Sequence, residues 1–155
     1  MAGKAPTRKL ICENRRARHE YELLDTLEAG VALTGSEVKS LRGGKGSIAE
    51  AYVAFEDGEA WLLDAHISPY AQANRYNHET RRKRKLLLHA AEILRWQRRV
   101  AEKGLTAVPL EMYFEGPWVK VKIALARGKK LHDKRDASRE REDRREMDRA
   151  MRARG

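Results

Sequence analysis

The sequence predicts a mainly β fold, with about six antiparallel strands rolled into one small closed barrel and few helices. Three observations carry that reading. Val108, Leu110, Met112 and Phe114 alternate with Pro109, Glu111 and Tyr113, and after Gly116-Pro117 the residues Val119, Val121, Ile123 and Leu125 alternate with Lys120 and Lys122. A period of two buries one face of each strand and wets the other. Asp57-Gly58 is a tight-turn dipeptide set between two apolar runs, which marks a hairpin. Finally, 155 residues suit one domain with a single core.

Composition divides the chain into a flexible basic lead (1–10), a patterned body (11–126) and a charged tail (127–155). In the body, Tyr21 to Leu27 reads as a strand, and Glu28-Ala29-Gly30 as a turn into Val31-Ala32-Leu33, giving a first hairpin. Ser36 offers an N-cap, Val38 and Leu41 share a face, and Gly43-Gly44 stops the run, which describes a two-turn helix. Ile48 to Phe55 and Ala60 to Leu63 flank Asp57-Gly58 as a second hairpin. Ser68 to Arg84, with Asn74, Arg75, Tyr76, Asn77, His78, Arg81 and Arg82, lacks periodicity and reads as a long exposed loop. Leu86-Leu87-Leu88 brings the chain back. Ala91, Ile93, Leu94, Gln97 and Val100 outline an amphipathic helix closed by Lys103 and Gly104, and the two alternating strands follow. Such a set favours a barrel of the kind whose surface binds oligonucleotides in OB-folds.

From Arg127 onward there are 12 lysines and arginines against 7 acidic residues, and after Leu131 the only apolar side chains are Ala137, Met147, Ala150, Met151 and Ala153. That is too little to bury for independent folding, so the tail is expected to be disordered when alone. Glu140 with Arg144 and Asp148 with Arg152 nevertheless stand at the i,i+4 spacing that supports helix. A helix over 131–155 would reach about 37 Å.

A net charge of +10 points to a polyanion as partner. The apolar stretches are only a few residues long, and the basic N-terminus leads into no apolar signal region, so a membrane partner and export are not expected and the chain is read as cytosolic. Cys12 is the single cysteine, which suits a reducing compartment. No phosphate-binding glycine loop and no metal-ligand spacing occurs, and His19, His66, His78, His89 and His132 are scattered, so neither catalysis nor a cofactor is expected.

Binding chemistry is easier to find. Asn14-Arg15-Arg16-Ala17-Arg18-His19 supplies guanidinium forks for phosphate beside groups able to reach bases or 2′-hydroxyls. Lys39, Arg42 and Lys45, then Arg81 to Lys85, then Lys120 and Lys122 repeat the sign, and a barrel that gathered them would present a continuous phosphate-binding patch. Glu28 repels phosphate and can only accept from base amino or imino groups or a 2′-hydroxyl, which would give selectivity; from its local sequence alone it reads more readily as a turn residue facing water. In the tail, Gly128-Lys129-Lys130-Leu131-His132-Asp133-Lys134-Arg135 combines dense charge with a stackable imidazole, suited to folding onto structured RNA or simply to a solvated helix.

Several stretches resemble the SmpB family of SsrA-binding proteins, which act in bacterial trans-translation: Asn14 to Tyr21, Glu28-Ala29-Gly30, Leu33 to Arg42, His66 to Tyr70, Asn74 to His78, Arg84 to Leu88, Val119 to Lys122, and Gly128 to Arg135. The resemblance implies a six-stranded OB-like barrel with about three helices. It implies binding to the tRNA-like domain of transfer-messenger RNA (tmRNA, or SsrA RNA) and delivery of that RNA, with elongation factor Tu, to stalled ribosomes. By matching motifs, Glu28, Leu87 and Lys120 fall on RNA-binding positions, with His19, Tyr21, Asn14, Arg15, Arg16, Arg18, Lys39, Arg42, Lys45 and Lys85 on the same expected surface. Gly128, Lys129, Lys130, His132, Asp133, Lys134 and Arg135 match the tail segment expected in the mRNA channel of the ribosome, near the decoding centre where aminoacyl-tRNA is received. The alternative is a generic OB-fold protein that binds ribosomes or rRNA. Thr80 stands where proline is frequent in the family, and beyond about Asp136 the match is one of composition.

Overall fold

A computed structural model describes residues 7–72, 77–128 and 145. Its elements are β1 (Arg8–Glu13), α1 (Arg15–Glu20), β2 (Tyr21–Val31), α2 (Gly35–Arg42), β3 (Gly46–Ser47), β4 (Tyr52–Glu56), β5 (Glu59–Leu63), β6 (His66–Ile67), β7 (Arg84–Leu87), α3 (Ala90–Lys103), β8 (Thr106–Glu115) and β9 (Trp118–Gly128). Strands β8, β4, β5, β7, β2 and β9 pair in that order and β9 pairs back onto β8, so six antiparallel strands close into a ring, with three helices among the described residues. The second edge of β8 is shared: Ala107 meets Val53 of β4, and Glu111 to Glu115 pair with β1. The expectations for the tail beyond Gly128, and for Asn74, Arg75 and Tyr76, lie outside the described residues.

Alternation builds the barrel core along β9 and the end of β8 but not along the whole of β8: beyond the bulge between Pro109 and Glu111, Val108 and Leu110 pack with Ala17, Ala124 and Ala126 in a second buried cluster, and Tyr113, expected on the wet face, is buried as well. Val119, Val121, Ile123 and Leu125 of β9 point inward with Leu62, Leu86, Ile67 and Met112, and α3 adds Trp96 and Ile93. Gly104, at φ 61°, ends α3 in the left-handed conformation that a glycine adopts without strain.

The structure corrects four sequence expectations. There is no hairpin at Glu28-Ala29-Gly30: β2 runs unbroken to Val31, because β9 and β7 both supply partners, and Gly30 is flanked by Lys120 on one side and Leu87 on the other. A side chain at Gly30 would stand 3.3 Å from the Leu87 Cβ, so this glycine permits close strand approach rather than a turn. Helix α2 starts earlier than a Ser36 cap would allow. Thr34 accepts from the Glu37 amide while Glu37 accepts from the Thr34 amide, a capping box. The run Ile48 to Phe55 is strand only from Tyr52, in β4, while Ile48 to Ala51 form the bend that follows β3, with Ile48 and Ala51 buried there. Lastly, β1 begins at Arg8, inside the segment read as a flexible lead, and the segment from Arg15 to Glu20 is a helix.

The loop read as simply exposed is clamped to the barrel. Glu37 and Arg84 are fully buried, and Glu37 accepts from the guanidinium groups of both Arg84 and Arg82. Arg84 also donates to the carbonyls of Ala65 (2.8 Å), Arg82 (3.1 Å) and Thr80 (3.2 Å). Tyr70 and Asn77 exchange two hydrogen bonds across the loop (2.9 and 2.7 Å). His78 bridges Ser36 (2.9 Å) and the carbonyl of Ile67 (2.8 Å).

Candidate nucleic-acid interface

Because β2 is continuous, it carries Glu28 and Gly30 onto the outer barrel face beside β9. Cross-strand pairing then aligns one transverse row, Leu87, Gly30, Lys120, Tyr113 and Leu10, drawn from β7, β2, β9, β8 and β1. An open cleft of about 750 Å³ lies along this row, lined among others by Glu28, Gly30, Lys85, Leu87 and Lys120. Four sequence-predicted residues, Glu28, Lys85, Leu87 and Lys120, thus converge from three strands. Leu87 is 55% exposed, an unusual setting for leucine and a ready apolar surface for a sugar or base.

The repeated sign in the sequence predicts a plain cationic patch, but the cations of the cleft have acidic partners. Lys120 pairs with Glu115 (2.6 Å), and Lys85 with Glu59 (3.2 Å). Arg8 reaches Glu28 (2.9 Å) and Glu115 (3.5 Å) and lies over the Tyr113 ring (5.1 Å). Tyr113 donates its hydroxyl proton to Glu28. Burial, with the adjoining Glu28 carboxylate, pushes the Tyr113 hydroxyl far above its ordinary value, so it remains a donor. The hydrogen bond from Lys120 holds the Glu115 carboxyl below the usual carboxylate range, with Arg8 adding to it. Glu28 foremost raises the already high value of Arg8. Arg8, Lys120, Glu28 and Glu115 form a charge-balanced network, exposed at Arg8 and Glu28 and partly exposed at Lys120 and Glu115. Ion pairs that water can reach contribute little to stability, so a phosphate or a base edge can replace one partner at little cost.

The remaining predicted residues fall into two other places. Arg15, Arg16, Arg18 and His19 lie on α1 with exposed side chains, Arg15 at 92%. Tyr21 opens β2 opposite Gly128, seven residues and about 23 Å of strand from Glu28. Arg16 pairs with Glu20 (3.2 Å), and Arg18 with Glu111 (3.8 Å). Lys39, Arg42 and Lys45 stand on and after α2, Lys39 near the Tyr70 ring (5.7 Å) and Arg42 near the Phe114 ring (5.9 Å). Asn14 departs from expectation. It is buried, caps α1 by accepting from the Ala17 amide (3.1 Å), and donates to the carbonyl of Pro109 (3.0 Å), so both ends of its amide are already used. Lys129, Lys130, His132, Asp133, Lys134 and Arg135 lie outside the described residues.

Sequence reasoning misses Arg8, Tyr113 and Glu115. Arg8 falls in the segment that composition marks as lead, and Tyr113 and Glu115 stand out only as the wet side of a strand, although the facing of Lys120 by acidic and aromatic residues across the Gly116-Pro117 turn is a usable signal. Burial pushes the half-buried Cys12 thiol up to about 11, leaving it protonated and inert near neutral pH. Among the described residues no group of three or more His, Cys, Asp or Glu side chains is placed to hold a metal, and no helix is long and apolar enough to cross a membrane.

A closed antiparallel barrel with an open cleft of exchangeable ion pairs and exposed apolar side chains has the make-up of an RNA-binding adaptor module. The family model described as SmpB protein matches residues 11–153, and the chain belongs to that family. It is 54% identical over 152 residues to an SsrA-binding protein of Nostoc sp. (strain PCC 7120), spanning 97% of this chain and 98% of the relative. It is 57% identical over 148 residues to an SsrA-binding protein of Rhodopseudomonas palustris (strain BisB18), spanning 95% and 94%. Its fold is similar, at a TM-score of 0.65 and 53% identity, to a chain solved in work described as "tmRNA-SmpB: a journey to the center of the bacterial ribosome", covering 77% of this chain and 85% of that one.

Proposed function

We propose that this chain binds the tRNA-like domain of tmRNA and brings that RNA to stalled ribosomes for trans-translation, as an adaptor in the cytoplasm that performs no chemistry of its own. The observation that carries the reading is the convergence of Glu28, Lys85, Leu87 and Lys120 on one cleft from three strands. Membership of the SmpB family and identity above 50% to SsrA-binding proteins support the RNA partner. On RNA binding, Lys120 and Lys85 exchange their carboxylate partners for phosphate. Glu28, which is already hydrogen-bonded by Tyr113 as an acceptor, receives a base N–H or 2′-hydroxyl and selects against bare phosphate.

The boundaries 11–126 expected from sequence widen in the structure, where β1 starts at Arg8 and Arg127 and Gly128 pair with Glu22 and Tyr21 at the end of β9, and in this reading the segment from Lys129 is a separate ribosomal element. Gly128 closes β9 opposite Tyr21, so the part that enters the mRNA channel beside the decoding centre and becomes helical there is the segment carrying Lys129, Lys130, His132, Asp133, Lys134 and Arg135, and elongation factor Tu accompanies the alanine-charged RNA. The exposed cations of α1, set beside Gly128 where β9 ends, would extend the ribosomal surface rather than the cleft.

The test is a salt titration of binding to the tRNA-like domain, with ordinary tRNA and duplex RNA as controls. Electrostatic attraction alone is unselective and falls steeply with salt. Selectivity surviving at high salt is expected; equal, steeply salt-dependent binding to all three overturns the reading and leaves a generic binder of ribosomal RNA.

A further inference from the structure

Three of the six large apolar side chains that stand exposed on the described surface lie on one barrel face: Leu87 at 55%, Leu10 at 50% and Trp118 at 71%. Leu87 and Leu10 are the ends of the transverse row that passes through Lys120, and Trp118 is two residues before Lys120 on the same outward side of β9, since Val119 and Val121 between and beyond them are buried. Nothing in the folding of the barrel calls for an indole in water at that place. The turn it follows, Gly116-Pro117, is made by residue types that form turns unaided, and its register partner is the carboxylate residue Glu115.

The chain has three tryptophans, and the structure gives each a different setting. Trp96, on the inner face of α3, is fully buried in the core. Trp61 is half-buried, with the Lys83 ammonium 4.2 Å from its ring centroid. Trp118 is open to solvent over most of its surface. Tyr113, the other aromatic on this face, has its ring occupied by Arg8 and its hydroxyl by Glu28. Trp118 is therefore the aromatic surface of the patch most available to stack.

We propose that Trp118 is a base-stacking platform at the edge of the cleft, taking an unpaired nucleobase of the bound RNA on its ring while Lys120 meets the adjoining phosphate. Two residues of extended strand separate the two side chains by about 7 Å, which suits one nucleotide laid across them. Glu115 is the register partner of Trp118 and the ion-pair partner of Lys120, so when Lys120 turns to phosphate the released carboxylate disfavours a second phosphate over the indole, which directs the base and not the backbone onto the ring. Every base has a π-face, so this contact adds affinity with little dependence on salt, in contrast to the lysine contacts. The inference rests on the proposed RNA-binding reading and adds to it a residue and an interaction type.

The test uses the full chain and a transcript of the tRNA-like domain. Trp118→Ala is expected to weaken binding about 5- to 150-fold, the range for loss of one stacked base, with the slope of log K against log salt unchanged. Trp118→Phe, which keeps a ring, is expected within a few-fold of the parent, and it should remove most of the quenching of tryptophan emission that RNA causes in the parent chain, leaving at most the part from Trp61 beside Lys85. Lys120→Ala is the contrasting control, lowering the slope by about 1. Parent chain that selects the tRNA-like domain while Trp118→Ala binds it within twofold overturns the inference alone. Parent chain that shows no preference for that RNA overturns the functional reading beneath and takes the inference with it.

Discussion

The Glu37–Arg84 pair and the Glu115–Lys120 pair both join a carboxylate to a cation, yet they occupy opposite physical regimes. Glu37 and Arg84 have no exposed side-chain surface, whereas Glu115 and Lys120 keep 17% and 34% of theirs. In the first cluster each charge has been taken out of water, and its cost is met by a full set of partners: two guanidinium groups and the Thr34 amide on Glu37, and backbone carbonyls on Arg84. Removing one partner leaves a buried charge uncompensated. In the second cluster water is always available as a substitute, so partners can be traded. Solvent access, and not the identity of the charged residues, separates the pair that ties Ala65, Thr80, Arg82 and α2 to the barrel from the pair available to a ligand.

The largest expected effect comes from breaking the buried cluster. Arg84→Met should destabilise the fold by about 3–5 kcal/mol, the usual cost of stranding a buried ion. In a chain of this size that lowers the melting temperature by roughly 10 °C or more, read by thermal unfolding followed by circular dichroism. A loss below about 1 kcal/mol would show that Arg82 alone can satisfy Glu37. The same cluster sets an acid limit. Burial opposes the ionisation of Glu37, but the hydrogen bonds from Arg82, Thr34 and Arg84 outweigh it and hold its carboxyl below the ordinary value of 4.5. The folded state therefore releases the proton more readily than the unfolded chain. The stability this supplies is fully present above the unfolded value and is lost as pH falls through the folded one. Melting temperature should fall on acidification below about pH 4.5, and the Glu37→Gln variant, unstable at neutral pH, should show a flatter profile there.

A smaller effect is expected at Asn14, which lies between the two regimes. Asn14→Ala removes the N-cap of α1 and strands the Pro109 carbonyl, costing about 1–2 kcal/mol. Its salt slope for RNA should equal that of the parent, because the residue presents nothing outward. A changed slope at unchanged stability would return Asn14 to the interface.

Much of this is legible in the chain, for a reason that also explains what is not. Alternation from Val108 to Leu125, the Asp57-Gly58 turn and the Gly43-Gly44 and Gly104 stops act locally, and each delivers its element. Gly30 misleads because a glycine needed for close approach to Leu87 looks, in sequence, like a glycine needed for a turn. Strand β1 escapes because its six residues form a strand only by pairing with β8, which follows far along the chain. In the same way Glu28 and Glu37 cannot be ranked by sequence: one is exposed on a sheet and the other sealed under a loop by Arg84, 47 residues away. The cleft residues are visible as separate basic or family-like motifs, while their ion pairing with Glu59 and Glu115 depends on register across strands.

The smallest effect on stability, and the sharpest separation of the two regimes, is expected at Lys120. Lys120→Glu places a carboxylate beside Glu115 and leaves Arg8 as the nearest compensating cation. The side chains are on the surface, where loss of an ion pair and a new like-charge contact cost about 1 kcal/mol or less, so the melting temperature should move by only a few degrees. Binding of the tRNA-like domain should respond far more. The variant loses a phosphate contact, gains a repulsion, and its dependence on salt should become shallower by about one unit of slope. A variant that melted roughly 10 °C lower would show that the surface network is structural after all. One that kept both stability and slope would remove Lys120 from the interface and shift the burden of RNA binding to the cations of α1 and α2.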